Sequence, residues 1–276
     1  MTQHPIGLIA GKSQFPILFA RAARAAGHRV VAVAIKGETL VELEAEVDQI
    51  TWIHLGQLGH LIKAFKKAGV RRAAMCGGVT KPRMFRDVHP DLRALTLVTK
   101  LRHLADDGIL RVLADELAGE GIQVMHSHEL VPELLAPEGL YTRRGPSDDE
   151  LADARLGWEL AGELGRLDIG QALVVKGKAV LAVEAMEGTD ACIRRGGELA
   201  GGEGAVVVKR CKPAQDRRFD LPSVGEQTVE VMAGAGASCL VIEAGRTLVF
   251  DRGPMVDRAD RAGICVLAWS GIGANK

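Results

Sequence analysis

The chain has 276 residues, of which 47% are apolar and 25% charged, with 35 basic and 35 acidic side chains. This length predicts about two domains of ~100–200 residues each. A formal net charge of zero argues against an extended basic surface, so no nucleic-acid partner is expected. The five cysteines form no CxxC pair, which argues against a structural zinc site or a disulfide framework.

The sequence suggests neither a signal peptide nor a membrane span. The N-terminus lacks a basic stretch followed by a long apolar one, and no run of ~18 uncharged apolar residues occurs. Reduced thiols fit a reducing compartment. We therefore expect a cytoplasmic protein.

Strands and helices alternate along the first half. Strands are predicted over 6–10, 29–35, 49–54, 72–76 and 122–125, and helices over 16–27, 56–67, 91–104 and 107–117. The run 29–35 is almost continuously apolar, as is typical of a strand buried on both faces. The alternation predicts an α/β domain with a parallel, doubly wound sheet.

A segment rich in proline and glycine separates the two halves. We predict a first domain over 1–133, a linker over 134–146 and a second, catalytic domain over 147–276. Ser147 and Glu150 have the spacing of a capping box, which predicts a helix to about 164.

The second half has a different pattern, with a hairpin expected at 171–175 and 179–185. Further strands are predicted over 205–210, 239–242, 247–250 and 264–268, with helices over 227–235 and 255–262. This order predicts an α+β domain. The glycine-rich stretch 196–204 is expected to be a flexible loop.

Two glycine turns follow strands of the first domain. Gly11, with Lys12 after it, follows the first strand, and Gly77 and Gly78 follow the fourth. Open α/β sheets bind ligands at this edge, where a helix N-terminus favours phosphate. The pattern around Gly11 is neither GxGxxG nor a P-loop, so a tight turn without a ligand is the alternative.

The segment 184–190 reads Glu-Ala-Met-Glu-Gly-Thr-Asp, ending a strand and opening a short helix. Carboxylates such as Glu187 and Asp190 beside a glycine turn suit magnesium, which prefers oxygen ligands. The alternative is that Thr189 or Asp190 is the N-cap of the helix.

The segment 209–222 concentrates charge after a strand. It contains five cations and two aspartates: Lys209, Arg210, Lys212, Arg217, Arg218, Asp216 and Asp220. Hydrolysis of a phosphoric anhydride needs cations to offset anionic oxygens, and carboxylates to bind metal or orient water. The alternative is a solvated charged loop.

An apolar stripe marks the helix predicted over 91–104. It consists of Leu95, Val98, Leu101 and Leu104. This spacing indicates a core-facing side of a helix rather than an acyl-chain groove.

These segments together resemble the LpxI family over nearly the whole chain. In the first half the similar stretches are Gly-Leu-Ile-Ala-Gly at 7–11, Phe-Pro at 15–16, Gly-Gln-Leu-Gly at 56–59, and Gly-Gly-Val with Lys-Pro at 77–82. Asp-Asp at 106–107 and Leu-Ala-Pro-Glu-Gly at 135–139 follow. In the second half they are 168–171, 184–190 and 212–225, and the last of these is the most extensive.

The resemblance implies a Rossmann-like N-terminal domain and a C-terminal domain of a fold particular to the family. It also implies a pyrophosphatase of lipid A synthesis that requires Mg²⁺ or a similar divalent cation. Its substrate is UDP-2,3-diacylglucosamine, and its products are UMP and 2,3-diacylglucosamine 1-phosphate (lipid X).

Within this interpretation, Asp220 is the first candidate for the essential carboxylate, as metal ligand or water-orienting base, and Asp216 is the second. Magnesium is expected on Asp220, Glu187 and Asp190. Substrate contacts are expected at Gly11, Lys12, Gly77, Gly78, Thr189, Lys212, Gln215, Arg217 and Arg218.

The implied substrate carries two acyl chains, which we expect between the two domains. We therefore expect transient, peripheral contact with the inner face of the inner membrane. The sequence leaves open whether the chain forms a homo-oligomer.

Two other functions remain open. One is a noncatalytic nucleotide- or lipid-binding protein, and the other is an NAD-dependent sugar-nucleotide oxidoreductase. The missing GxGxxG, with no acidic residue placed after it for a ribose, weighs against the oxidoreductase.

Overall fold

The computed structural model describes residues 4–79, 88–101, 106–213, 216, 218–219 and 221–271. The chain forms two compact units. The first comprises Met1–Pro132 and Asp216–Asp220, and the second comprises Glu133–Gln215 and Leu221–Lys276. The domain boundaries at 133 and 146 stay a prediction. They assign the segment Asp216–Asp220 to the second domain, whereas the structure groups it with the first unit.

The first unit is built on a five-stranded parallel sheet. Its strands are β1 (Ile6–Ala10), β2 (Val30–Ile35), β3 (Gln49–Ile53), β4 (Arg72–Cys76) and β5 (Gln123–Val124). Its helices are α1 (Phe15–Ala25), α2 (Leu58–Ala68), α3 (Leu92–Leu101) and α4 (Asp106–Gly119). The strand order is β3-β2-β1-β4-β5, and every neighbouring pair is parallel. The α/β prediction for this half is confirmed.

The central position of β1 and β2 explains their composition. Both are buried almost throughout because strands lie on either side of them and helices cover the sheet. Phe65 of α2 and Leu117 of α4 are fully buried in the core on one face of this sheet. Because these strands are parallel, the carboxyl ends of β1 to β4 lie at the same edge of the sheet.

The second unit contains a six-stranded mixed sheet. Its strands are β6 (Gly139–Leu140), β7 (Ala172–Lys176), β8 (Ala179–Val183), β9 (Ala205–Lys209), β11 (Ala237–Glu243) and β13 (Cys265–Trp269), in the order β6-β13-β11-β9-β7-β8. Strands β10 (Ser223–Val224) and β12 (Leu248–Val249) form a separate parallel pair. The helices are α5 (Asp148–Arg166), α6 (Thr189–Leu199), α7 (Glu226–Gly234) and α8 (Arg252–Arg261).

The α+β prediction for this half is only partly right. Strands β9, β11 and β13 are parallel neighbours, and α7 and α8 lie between them in the chain. Helices α6, α7 and α8 contribute Ile193, Met232 and Met255 to the core on one face of the sheet. Trp158 of α5 packs on the other face. The unit is therefore an α/β layer with three parallel central strands and antiparallel strands on both sides of them.

The prediction of a flexible loop over 196–204 is wrong at its beginning, because α6 continues to Leu199. A Cβ on Gly196 would lie 2.5 Å from the Cβ of Val174, and one on Gly197 would lie 2.2 Å from the carbonyl oxygen of Ala235. These glycines allow the helix to approach its neighbours closely. Composition alone suggested a loop, whereas packing requires the glycines inside a helix.

The capping box at the start of α5 is confirmed and belongs to a larger polar cluster. The Glu150 amide donates to Ser147 Oγ, and the Ser147 amide donates to Glu150 Oε2 at 2.7 Å. Arg144 donates to both oxygens of Glu150, and Ser238 donates to Oε1. Burial alone would raise the pKa of Glu150, but the hydrogen bonds from Arg144, Ser238 and Ser147 outweigh burial and lower it to about 2.

This cluster predicts a pH-dependent contribution to stability. The folded pKa of Glu150 lies below the unfolded value of ~4.3. The stabilisation is therefore fully present above that unfolded value and is lost as the pH falls towards 2. We expect Glu150→Gln to lower the free energy of unfolding by about 2–3 kcal/mol at pH 7 and by about half of that at pH 3. Urea titrations of both proteins at the two pH values measure this; equal losses would contradict it.

Candidate active site

The two glycine turns meet at the carboxyl edge of the first sheet. The Gly11 amide donates to the Cys76 carbonyl at 2.9 Å, and the Lys12 amide donates to the Gly78 carbonyl at 2.8 Å. A Cβ on Gly11 would lie 2.3 Å from the Gly78 oxygen, and one on Gly77 (φ +79°) would lie 2.1 Å from the Lys12 oxygen. Close approach of two backbones therefore explains the glycines, as the tight-turn alternative expects. Ligand contacts at Gly11, Lys12, Gly77 and Gly78 stay a prediction.

Glu243, buried at the end of β11, holds the start of the charged segment 209–222. Its Oε2 accepts from the Cys211 amide at 2.9 Å and lies 3.7 Å from Arg210 Nε. Its Oε1 lies 3.3 Å from Arg246 Nη1. Lys209, itself only 6% exposed, donates to the Ser223 carbonyl at 2.8 Å. The segment thus leaves β9 through a fixed polar framework and is not a loosely solvated loop at this point.

Lys212 is a predicted phosphate contact that already has an anionic partner. Its Nζ lies 2.5 Å from Asp168 Oδ1, and its side chain is only 14% exposed. Asp168 has a left-handed backbone, with φ +57°. The pair fixes the ammonium close to the start of the segment, and its role in substrate binding stays a prediction.

Asp216 and Arg218 form a clamp within the first unit. Arg218 donates to both carboxylate oxygens of Asp216, with Nη2 at 2.6 Å from Oδ2 and Nε at 3.0 Å from Oδ1. This hydrogen bonding lowers the pKa of Asp216. The next residue, Phe219, is buried in the core of the first unit. The predicted site residues Gln215, Arg217 and Asp220 lie outside the described residues, and their roles stay predictions.

The N-cap alternative for the segment 184–190 is wrong. Gly188, with φ +85°, is the N-cap of α6, and neither Thr189 nor Asp190 takes that position. Thr189 Oγ1 instead donates to Glu184 Oε1 at 3.0 Å. Glu187 pairs with Arg195 at 2.7 Å and accepts from the Ala185 amide. The carboxylate of Glu187 is therefore already engaged, and the magnesium roles of Glu187 and Asp190 stay predictions.

Glu184 is the buried carboxylate of the segment 184–190, and one of its two oxygens has no hydrogen-bond partner among the described residues. Its side chain lies at the end of β8, and the residue is 7% exposed. Among the residues that the structure describes, its Oε2 has no hydrogen-bond partner. A buried carboxylate oxygen is costly unless a donor, a water molecule or an ion satisfies it. The described residues contain no ready-made group of three His, Cys, Asp or Glu for a metal.

Residues 5–134 match the family model of the LpxI N-terminal domain, and residues 137–267 match that of the LpxI C-terminal domain. The chain belongs to the LpxI family. The UDP-2,3-diacylglucosamine pyrophosphatase LpxI of Caulobacter vibrioides is 35% identical over 272 residues, covering 95% of this chain and 96% of the relative. The resemblance carried by the sequence motifs is confirmed over nearly the full length.

Two solved structures resemble this LpxI family member weakly. The biotin carboxylase domain of a single-chain bacterial carboxylase has a TM-score of 0.27 and 16% identity, over 63% of this chain and 31% of that one. A pyruvate carboxylase variant from Rhizobium etli has a TM-score of 0.25 and 16% identity, over 43% and 10%. Scores this low do not establish a common fold.

Of two buried acidic residues in this LpxI family member, Glu243 was not singled out by the sequence reasoning, and Glu184 was included only as part of the segment 184–190, without a role of its own. Both follow a run of apolar strand residues directly. An ionisable side chain at the end of a buried strand is costly unless it pairs with another group or binds a ligand. That pattern is the signal that identifies them. Within the described part of the chain, no helix combines the length and apolarity that crossing a bilayer requires.

Proposed function

We propose that this chain hydrolyses the pyrophosphate bond of UDP-2,3-diacylglucosamine, giving UMP and lipid X in lipid A synthesis. The observation that carries this proposal is the near full-length match. Both LpxI domain models match, and a pyrophosphatase named for this substrate is 35% identical over 95% of the chain. A match of this extent includes both domains and the charged segment 209–222.

The charged segment supplies the chemistry that anhydride hydrolysis needs. Asp220 is the proposed essential carboxylate, and Arg217 and Lys212 are proposed to face phosphate oxygens. The clamp between Asp216 and Arg218 fixes the turn four residues before Asp220. Asp216 is therefore proposed as a positioning residue for Asp220.

A Rossmann-like frame for the first unit belongs to the same proposal. The parallel order β3-β2-β1-β4-β5 and the glycine turns at the carboxyl edge support it. In that frame, the nucleotide part of the substrate lies near Gly11, Gly77 and the N-terminus of α1.

Magnesium is the proposed cofactor, and the second unit offers a carboxylate that fits it. Glu184 has one oxygen accepting from Thr189 and one that no described residue satisfies. Mg²⁺ is commonly bound through one or two carboxylates together with water and phosphate oxygens. Glu184 is therefore proposed as a magnesium ligand alongside Asp190. Once bound, the ion would offset the negative charge of the pyrophosphate.

Exchanging Glu184 and Glu187 one at a time tests this assignment. We expect Glu184→Gln to raise the magnesium concentration for half-maximal activity by about 10–100-fold, because it removes a charged oxygen ligand. Glu187→Gln is the matched control, because its carboxylate is held by Arg195. Magnesium titrations of activity and direct calorimetric titration give the two constants. If only Glu187→Gln raises the magnesium concentration for half-maximal activity, Glu187 is the metal ligand. If neither variant changes it, the segment 184–190 does not bind the magnesium ion.

A peripheral location on the inner face of the inner membrane follows from the proposed substrate, whose acyl chains partition into the bilayer. The chain is proposed to be cytoplasmic and to visit that surface. Cell fractionation should recover it in the soluble or salt-extractable fraction. Recovery only with detergent would contradict the proposal. A homo-oligomer is not required.

An assay of turnover against binding separates the proposed enzyme from a noncatalytic lipid-binding protein. Purified protein with excess UDP-2,3-diacylglucosamine and Mg²⁺ should release many equivalents of UMP per chain. Saturable binding without UMP release under any divalent ion would favour the binding protein.

One of the two arguments against the oxidoreductase alternative was that no acidic residue is placed to bind a ribose, and the structure removes that argument. Contrary to the expectation from sequence, an acidic residue, Glu38, follows β2 and is buried at 8% exposure. The missing GxGxxG still weighs against a dinucleotide site. The amides of Gly11 and Lys12 also donate to the neighbouring turn and not outward. A hydride-transfer function therefore receives no support from the first glycine turn.

A further inference from the structure

The first unit contains an apolar cavity of about 320 Å³ beside the carboxyl ends of β1, β2 and β3. Ile9, Val33 and Ile53 line it from the sheet. The helical lining comes from α2, α3 and α4 and includes Leu61, Leu97 and Leu113. None of the described residues that line it carries a charge, and Gln57 is the polar one among them.

The cavity is partly open to the surface, so it is a pocket that a ligand could enter and not an enclosed void. Its volume is about ten times the ~30 Å³ that one water molecule occupies in the liquid. Large apolar cavities stay dry and take up apolar ligands, and ligand pockets typically begin at about 300 Å³. The volume suits a flexible chain of roughly ten carbon atoms, since a methylene group is similar in size to water.

Polar contacts outside the cavity fix the positions of the helices that line it. Asp91 accepts from the Gly59 amide of α2 at 2.6 Å and from the Ala94 amide of α3 at 2.9 Å. Arg93 of α3 pairs with Glu116 of α4 at 2.8 Å. Because these contacts brace α2 and α4 against α3, the cavity is a preformed feature of the unit.

A polar cavity of about 340 Å³ adjoins the apolar one and shares Ile35 and Leu55 with it. Its polar lining comprises Lys36, Glu38, His54 and His89. The rings of His54 and His89 lie 4.7 Å apart. The two cavities together suit a ligand in which an apolar chain continues into a polar, hydrogen-bonding group.

Helix α3 also presents apolar side chains to the outside. Leu92 is 84% exposed and Leu95 is 50% exposed, whereas Ala94 and Leu97 line the cavity. The interpretation of the stripe through Leu95 as a core face is therefore wrong at that residue. Exposed leucines beside an apolar cavity suit a protein that takes a lipid chain from a bilayer surface.

We infer that the apolar cavity binds one acyl chain of the substrate, with the carbonyl end of the chain at the rim shared with the polar cavity. The inference rests on the proposed function, because the diacylglucosamine moiety supplies the chain. It gives one chain a site within the first unit, whereas the sequence alone placed both chains between the domains. The predicted consequence is a dependence of kcat/KM on acyl length.

Filling the cavity tests the inference. Ala94→Trp places an indole in the cavity, and Thr96→Trp places the same group on the exposed side of the same helix. Val112→Phe fills the cavity from α4 and serves if Ala94→Trp does not fold. Each variant is melted, titrated with a fluorescent undecanoic acid derivative, and assayed on substrates with acyl chains of graded length.

Wild-type protein and Thr96→Trp should bind the probe equally. Their kcat/KM should rise by about three- to fourfold per methylene until the cavity is full. The cavity-filled variants should bind the probe at least tenfold more weakly and lose this dependence, while hydrolysing the shortest substrate at the parental rate. An unchanged length profile, unchanged probe binding, or displacement of the probe by UMP would overturn the inference. Failure of the wild type to hydrolyse any substrate would instead overturn the proposed function, since probe binding is measured without turnover.

Discussion

Asp220→Ala is expected to lower kcat by about 10²–10⁴ while KM and the melting temperature stay near the parental values. A carboxylate that binds metal or orients water acts in the transition state, so its loss affects turnover more than substrate binding. Asp220→Asn keeps the shape and removes the charge, and it should be almost as inactive. Steady-state kinetics and thermal melting of both variants measure the effect.

The matched control for this substitution is Asp149→Ala, an exposed aspartate in the first turn of α5. It should change stability by no more than about 0.5 kcal/mol and leave kcat unchanged. If Asp220→Ala melts like the parent and retains near-parental kcat, the segment 209–222 is a charged surface and the site assignment is wrong.

Removal of divalent metal is expected to stop turnover completely and reversibly. The pyrophosphate brings negative charge that the described cations of the segment offset only in part, since Lys212 and Arg218 already pair with Asp168 and Asp216. Metal ions typically supply the remaining charge stabilisation in phosphoryl chemistry. Dialysis against EDTA followed by titration with Mg²⁺ tests this. Sustained UMP release in excess EDTA would exclude a metal-dependent reaction.

The clamp between Asp216 and Arg218 predicts a smaller and non-additive loss. Asp216→Ala and Arg218→Ala break the same contact. We therefore expect similar reductions of kcat, about tenfold each, and no further loss in the double variant beyond that. Kinetics of the four proteins form a double-mutant cycle. Fully additive losses would show that Asp216 and Arg218 act independently on the substrate.

Much of the fold is predictable because the apolar composition of a single strand indicates that the strand is buried. The runs at β2 and at 205–208 of β9 are apolar, and such runs occur where neighbouring strands and helices cover both faces. Helix α5 was predictable from the spacing of Ser147 and Glu150. Strand pairing was harder, since the parallel alignment of β9, β11 and β13 depends on contacts between residues far apart in the chain.

The candidate site was predictable as segments but not as contacts. The sequence indicates that the glycine turns and the segment 209–222 matter. It does not show that Glu187 is tied to Arg195 while an oxygen of Glu184 remains without a described partner. Nor does it show that Phe219 is buried in the first unit. Such pairings depend on tertiary packing, which local spacing does not encode.

The apolar cavity illustrates the same limit. Its lining residues come from three strands, three helices and the loops beside them, and most are ordinary apolar residues in their own segments. Only the packing of these elements leaves space between them. A sequence pattern distinguishes apolar from polar faces, whereas it does not distinguish a filled core from a hollow one.

Hydrolysis of the substrate in H₂¹⁸O, followed by mass spectrometry of the products, tests the central claim most directly. The account predicts UMP and lipid X in equal amounts, with one ¹⁸O atom in one of the two phosphates per turnover, and product release about 10²–10⁴ times slower from Asp220→Ala. Release of UDP, products without ¹⁸O, or full activity in Asp220→Ala would contradict it.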